Sequence, residues 1–155
     1  MLGANSSENT IDLRRKTIRV METVVLGSTG IKVNKNGFGA LPIQRVSTED
    51  AVKLAGKAYE AGITFFDTAR FYTDSEEKLG KAFDGMREKV YIATKTAAKN
   101  ADEFWEQLGI SLHNLRTDYI DIYQFHNPSF CPKPGDGTGL YEAMLEAKAQ
   151  GKIRH

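Results

Sequence analysis

The feature that most constrains this sequence is a repeating alternation of strand-type and helix-type stretches. Gly37-Phe38-Gly39-Ala40 reads as a short strand made largely of small residues. Ser47-Thr48-Glu49-Asp50 then carries a helix-start signature, with Ser47 as the cap and Asp50 three residues later. Ala51, Leu54, Ala55, Ala58 and Tyr59 follow as an apolar stripe at i, i+3, i+4 spacing, and Gly62 ends the helix. The unit recurs. Residues 63–66 read as a strand, and residues 75–83 as a helix with Leu79, Ala82 and Phe83 on its apolar side. Residues 90–94 form the next strand, and residues 101–115 a helix that turns Phe104, Trp105, Leu108, Leu112 and Leu115 inward. Residues 119–125 are again strand-like, residues 139–150 helical up to Gly151, and Ile153 begins what reads as a fifth strand. Ahead of the repeat, residues 23–26 and 31–33 are β-type runs joined by Gly27-Ser28-Thr29-Gly30, a hairpin signal. No Lys-Ser/Thr pair and helix follow those glycines, so the phosphate-loop reading fails.

Strand–helix alternation with short connections predicts an α/β chain with a parallel sheet. Two architectures fit: a doubly wound sheet and a closed (β/α)8 barrel. No GxGxxG opens a helix after any strand, which weakens the doubly wound dinucleotide-binding reading. A whole barrel needs roughly 250 residues. The 155 residues here hold about four β/α units, so a barrel reading makes the chain an N-terminal half, preceded by its hairpin. Residues 1–20 are polar and aperiodic, with a basic cluster Arg14-Arg15-Lys16. They are expected to be a disordered or non-native leader, with Met21 as a natural start. Residues 21–155 are then the barrel part, truncated near the fifth strand.

Charge and cysteine content remove several classes of function. A formal net charge of +1 gives no basic stripe for nucleic acid or an acidic membrane surface. No apolar run approaches the roughly 20 residues of a membrane span, and the first residues lack the apolar core of a secretory signal. The single cysteine, Cys131, excludes an internal disulfide and a CxxC metal site, so no metal is expected and a reducing cytoplasmic compartment is the default.

In a barrel, reactive groups sit at the C-terminal ends of strands and in the loops after them. Here those positions hold Phe66-Asp67-Thr68-Ala69, with Phe71-Tyr72 in the loop; Ala93-Thr94-Lys95-Thr96; and Gln124-Phe125-His126-Asn127-Pro128. Each reactive group has an ordinary reading on its own. Asp67 could cap a loop, Tyr72 could be a loop aromatic, Lys95 could snorkel from a strand end, and His126 could be a turn residue. Four complementary groups at one end of consecutive strands form a pattern that random placement would scatter. A phenol titrates near 10, too high for an efficient acid at neutral pH. A nearby ammonium stabilises the phenolate, a carboxylate keeps that ammonium charged, and an imidazole can orient a carbonyl. Such a set suits protonation of an oxygen that gains negative charge, as when hydride reaches an aldehyde or ketone carbon. The hydride needs a cofactor, because no side chain donates one.

Three stretches resemble the aldo-keto reductases: Gly62-Ile63-Thr64-Phe65-Phe66-Asp67-Thr68-Ala69 through Tyr72 and Ser75-Glu76-Glu77-Lys78-Leu79-Gly80; residues 90–96; and Ser111-Leu112 through Arg116-Thr117-Asp118-Tyr119-Ile120-Asp121 to His126-Asn127-Pro128. The similarity runs from Thr23 to the end. It implies a (β/α)8 TIM barrel that reduces small carbonyl substrates with NADPH (or NADH). It further implies Asp67, Tyr72, Lys95 and His126 as the catalytic tetrad, with Tyr72 as general acid. The resemblance places Gly39, Ala40 and Asp67 near the nicotinamide ribose, and the hairpin across the barrel floor. The loop Phe130-Cys131-Pro132-Lys133-Pro134-Gly135-Asp136 resembles a bacterial and archaeal branch whose members often carry a C-terminal segment with iron–sulfur cysteines; Cys131 alone cannot hold a cluster. In the family, Gly151-Lys152-Ile153-Arg154-His155 leads into strand five and on to the residues that stack on nicotinamide and grip the adenosine phosphate. The chain is thus expected to be a truncated part of a longer barrel, a half that self-associates to close one, or a remnant. A non-catalytic binding subunit on the same scaffold is the alternative function.

Overall fold

The computed structural model describes residues 22–155, and the expected leader over residues 1–20 lies outside them. A hairpin of β1 (Thr23–Val25) and β2 (Lys32–Asn34) opens the described chain. Then follow β3 (Phe38–Gly39), α1 (Thr48–Glu60), β4 (Phe65–Asp67), α2 (Ser75–Ala82), β5 (Tyr91–Thr96), α3 (Ala101–Asn114), β6 (Ile122–Phe125) and α4 (Leu140–Ala149). Two short 3-10 turns, Leu41–Arg45 and Arg87–Lys89, have no counterpart in the periodicity.

Strands β3, β4, β5 and β6 form one parallel sheet in sequence order. A doubly wound sheet would reverse its strand order at a switch point; no reversal occurs among the described residues. Helix α1 packs on α2, α2 on α3 and α3 on α4, so successive helices are neighbours in the same order as their strands. This is the layout of consecutive barrel units, an open four-stranded part with no closed barrel. Beyond α4, Ile153 bridges Ile120 in parallel. Ile120 N and Arg154 N exchange bonds of 2.9 Å with the carbonyls of Lys152 and Ile120, so the chain's last residues run along the β6 side as the pattern predicts.

The local causes are readable. Ser47 caps α1 by accepting from Asp50 N at 3.1 Å, and Asn100 caps α3 by accepting from Glu103 N at 3.0 Å; each satisfies one of the orphan amides of a helix start. Along β4 and β5 alternate side chains face opposite ways. Phe66, Ile92, Thr94 and Thr96 face the helices, and Asp67, Ala93 and Lys95 face the inner side. The core lies between sheet and helices: Phe66 meets Phe83 at 4.5 Å between ring centroids, and Phe104 meets Tyr123 at 5.5 Å. Phe104, Leu108 and Leu115 of the expected α3 stripe are fully buried, with Trp105 and Leu112 half-buried against them. Leu54 departs from expectation and is 46% exposed. Tyr59 faces α2, through Phe83, and Leu54 sits on the opposite margin of the α1 stripe, away from α2. The expected strand over residues 119–125 is shorter, starting at Ile122, because its first residues pair with the Lys152–Arg154 backbone as a single bridge.

Two contacts stand out in the packing. Gly80 of α2 lies against the end of α3, where a Cβ would sit 2.2 Å from Asn114 O and 2.9 Å from Leu115 C. Asp121, 1% exposed, accepts from Arg87 Nη2 at 2.7 Å, Ile92 N at 3.0 Å and Arg154 Nη1 at 3.1 Å. Arg87 and Arg154 also stack on the Tyr119 ring, 4.4 and 3.7 Å from its centroid. A buried carboxylate tolerates its desolvation only with such partners.

Gly80→Ala should therefore destabilise by about 2–3 kcal/mol, since overpacking against backbone outweighs alanine's better helix propensity. Gly109→Ala in α3, where a Cβ meets nothing within 4 Å, should instead stabilise by about 0.5–1 kcal/mol. Urea unfolding of the two variants beside the parent checks the opposite signs. Asp121→Ala should cost about 3–5 kcal/mol, because it strands the buried Arg87 charge; thermal unfolding followed by circular dichroism reads it.

Candidate active site

The inner ends of β4, β5 and β6 carry the reactive groups, and the sheet register fixes their spacing. Gly39 stands opposite Asp67, Asp67 opposite Ala93, and Lys95 opposite Gln124. Pairing continues past the strand ends: Ala40 N donates to Asp67 O and Thr68 N to Ala93 O, both at 2.8 Å, Arg70 N to Lys95 O at 3.0 Å, and His126 N to Thr96 O at 2.7 Å. The rim loops thus leave the sheet already tied to their neighbours.

Lys95 and Asp67 form the centre. Lys95 Nζ donates to Asp67 Oδ1 at 2.8 Å, Asp67 Oδ2 at 2.7 Å and the Thr68 carbonyl at 2.7 Å. An ammonium has three donors, and all three are engaged. The Lys95 side chain is 16% exposed and that of Asp67 38%, so the pair is shielded on one side and open towards the rim on the other.

Tyr72 and His126 meet above this pair. Their rings lie edge to face, 5.5 Å between centroids at 84°, a favoured aromatic geometry, and Lys95 Nζ stands 5.5 Å from the Tyr72 centroid. Among the described residues neither the Tyr72 hydroxyl nor the His126 imidazole makes a hydrogen bond, so both can address a ligand oxygen. All four groups read from the sequence are therefore brought together. Each aromatic group is followed by a left-handed residue, Thr73 at φ 42° and Asn127 at φ 49°. Asparagine tolerates that region and announces the second turn; a β-branched threonine gives no such signal for the first.

The structure separates the two remaining expected positions. Gly39 is exposed, and a Cβ on it would meet nothing within 4 Å. Ala40 is fully buried behind the rim, its carbonyl accepting from Ser75 Oγ at 2.9 Å, which in turn lies 2.9 Å from Thr68 Oγ1.

Sequence reasoning missed the groups that hold the rim. Lys78, 3% exposed, donates to Ile43 O at 3.0 Å, Val46 O at 2.8 Å and Asp74 Oδ1 at 2.9 Å. It clamps the turn after β3 to the start of α2. Partial burial works against ionisation of Asp74, but the hydrogen bond and charge of Lys78 prevail and hold its carboxyl below the ordinary value. The i, i+4 spacing of Asp74 and Lys78 was the available signal. Tyr123 serves as a contrast to Tyr72. Its hydroxyl is buried without a partner, and burial pushes it well above the usual phenol range, so it holds its proton within the core. Among the described residues no three His, Cys, Asp or Glu side chains are grouped to hold a metal ion, and no helix is long and apolar enough to cross a membrane.

Comparison with known proteins agrees with this layout. A profile described as the aldo/keto reductase family matches residues 30–155. The chain is 33% identical over 149 residues to L-galactose dehydrogenase of Arabidopsis thaliana, covering 86% of this chain and 47% of that protein. It is 37% identical over 115 residues to a methylglyoxal reductase of Escherichia coli, covering 69% of this chain and 37% of that protein. It thus spans half or less of the length of these relatives. The crystal structure of an aldo-keto reductase from Klebsiella pneumoniae in complex with NADPH superposes with a TM-score of 0.75 at 30% identity, over 88% of this chain and 48% of that one. Such neighbours imply the (β/α)8 barrel, of which the described residues form an open part, and the chain belongs to the aldo/keto reductase family.

Proposed function

We propose that this chain carries the acid–base site of a nicotinamide-dependent oxidoreductase that reduces an aldehyde or ketone, with NADPH (or NADH) as the cofactor and Tyr72 as general acid. The observation that carries the reading is the Lys95–Asp67 pair beneath an unbonded Tyr72 hydroxyl and His126 imidazole. The names of the two relatives, a dehydrogenase and a reductase, fit one reaction run in opposite directions. The rim fits a nicotinamide cofactor at Gly39, whose bare backbone leaves open space beside Asp67. Gly39 and Asp67 would face that cofactor, with Ala40 supporting them from behind.

When bound, the nicotinamide supplies the hydride. Within the chain, the His126 imidazole binds and orients the carbonyl oxygen. The Tyr72 hydroxyl gives that oxygen its proton as negative charge develops. The Lys95 ammonium, 5.5 Å from the Tyr72 ring centroid, favours the phenolate left behind. Asp67 keeps Lys95 charged and fixed, so the site need not reorganise as the charge moves. In the reverse direction the phenolate takes the proton from an alcohol.

Tyr72→Phe should lower the rate of carbonyl-dependent NADPH oxidation by about 10²–10⁴, the usual worth of a positioned acid, while NADPH still binds in a fluorescence titration. Lys95→Met should lower it comparably. A Tyr72→Phe variant that keeps the parent rate sinks the assignment of the acid. Saturable NADPH binding with no turnover of any aldehyde in the parent would favour the binding-subunit reading instead.

A further inference from the structure

We infer that the groove beside His126 selects carbonyl compounds whose apolar body ends in a carboxylate, and that Lys99 is the group that reads it. The carbonyl part of this statement rests on the function proposed above; the recognition of the anion rests on the groove alone. A cavity of about 210 Å³ opens between the loop after β5 and the loop after β6. Both His126 and Lys99 line it, with walls of Ala97, Ala98, Pro128 and Phe130. A second compartment of about 320 Å³ adjoins it and shares Lys99, Ser129 and Phe130. A cavity near 150 Å³ suffices for a benzene ring, so the first compartment admits one aromatic ring or its aliphatic equivalent. Phe130 is 41% exposed and braced edge to face by Phe125 at 5.6 Å, which presents a fixed apolar wall to such a body.

The charge pattern decides what the far end of that body should be. Lys99 is the sole cation lining either compartment, and neither is lined by Asp or Glu. Among the described residues no carboxylate approaches within 4 Å of the Lys99 ammonium. Two carboxylates near the groove are bonded to groups other than that ammonium. Glu103 accepts from Asn100 Nδ2 and from Lys99 N at 2.9 Å each. Asp136 accepts from Thr138 Oγ1 at 2.6 Å and from the amides of Thr138 and Lys133 at 2.9 Å. An unpaired ammonium lining an apolar groove gains a charge-assisted bond when a ligand carboxylate arrives, whereas a neutral ligand gains only the apolar contact. The carbonyl then sits by His126 and the anion by Lys99.

The test uses 4-carboxybenzaldehyde and its uncharged counterpart 4-methylbenzaldehyde. Without NADPH neither is reduced, so binding to the full chain can be titrated by ligand-observed NMR. The acid should bind about tenfold more tightly than the neutral aldehyde. Lys99→Met should bring that ratio close to one, Lys99→Arg should keep most of it, and Phe130→Ala should weaken both ligands while keeping the ratio. Equal affinities in the parent, or a ratio that survives Lys99→Met, overturns the inference. NADPH oxidation with the same two aldehydes is then measured separately. A charge preference in binding without turnover leaves the inference standing and removes the proposed reaction. Turnover of both aldehydes without a charge preference does the opposite.

Discussion

Register is the constraint from which the site follows. In a parallel sheet each strand end is tied to its neighbour by slanted, evenly spaced bonds, and here the ties extend one to three residues into the rim loops, from Ala40 to Asp67, Thr68 to Ala93, Arg70 to Lys95 and His126 to Thr96. The facing of Asp67 and Lys95 is therefore settled by backbone pairing before their charges meet. A shift of one residue in either strand would turn its functional side chain towards the helices, where Phe66 and Thr94 now stand. The ion pair adds to an arrangement that the backbone has already made; it does not have to create it.

Behind the sheet, the helix layer supports that register with polar groups rarely found in a core. Gly80 lets α2 and the end of α3 touch. That contact brings Asn114 Nδ2 within 3.2 Å of Glu76, whose other oxygen accepts from Thr94 Oγ1 at 2.6 Å. Thr94 precedes Lys95 in β5, so a line of contacts runs from the helix pair to the strand that bears the ammonium. At the other end of the sheet Asp121 joins Arg87, the Ile92 amide and Arg154. Buried ionic groups of this kind add little net stability, but they penalise any packing that leaves one of them alone.

How much of this was legible follows from the kind of information each feature carries. The helix start at Ser47, the inward stripe of Phe104, Leu108 and Leu115, and the four rim groups depend on local spacing, which a sequence displays directly. Leu54 was misjudged because periodicity identifies an apolar stripe without saying how much of it a neighbouring helix covers. The strand before His126 was placed three residues too early because Tyr119 and Ile120 are β-formers whose partner is the distant Lys152–Arg154 backbone. Nothing in the sequence around Lys78 marks it as buried. Only the tertiary contact with Ile43 O and Val46 O makes it a buried clamp. The groove at Lys99 escaped notice for a similar reason, since it exists only where two loops about thirty residues apart face each other.

The four rim groups divide by how they are held, and the division matches what a proton-transfer site requires. Asp67 and Lys95 are strand residues, fixed by pairing on both sides and by three bonds to one ammonium. Tyr72 and His126 are the last residues before sharp turns, each followed by a left-handed position. For Thr73 that conformation costs roughly 1–2 kcal/mol, partly offset by one hydrogen bond of its hydroxyl, which lies 3.3 Å from both Gln44 Oε1 and Asp74 Oδ1 and donates to either. Charge is thus anchored on the rigid sheet, while the groups that must touch a ligand oxygen stand on loops that bend over it. A site built the other way, with the ion pair on loops and the phenol on a strand, would have to desolvate and align two mobile charges each time a ligand arrived.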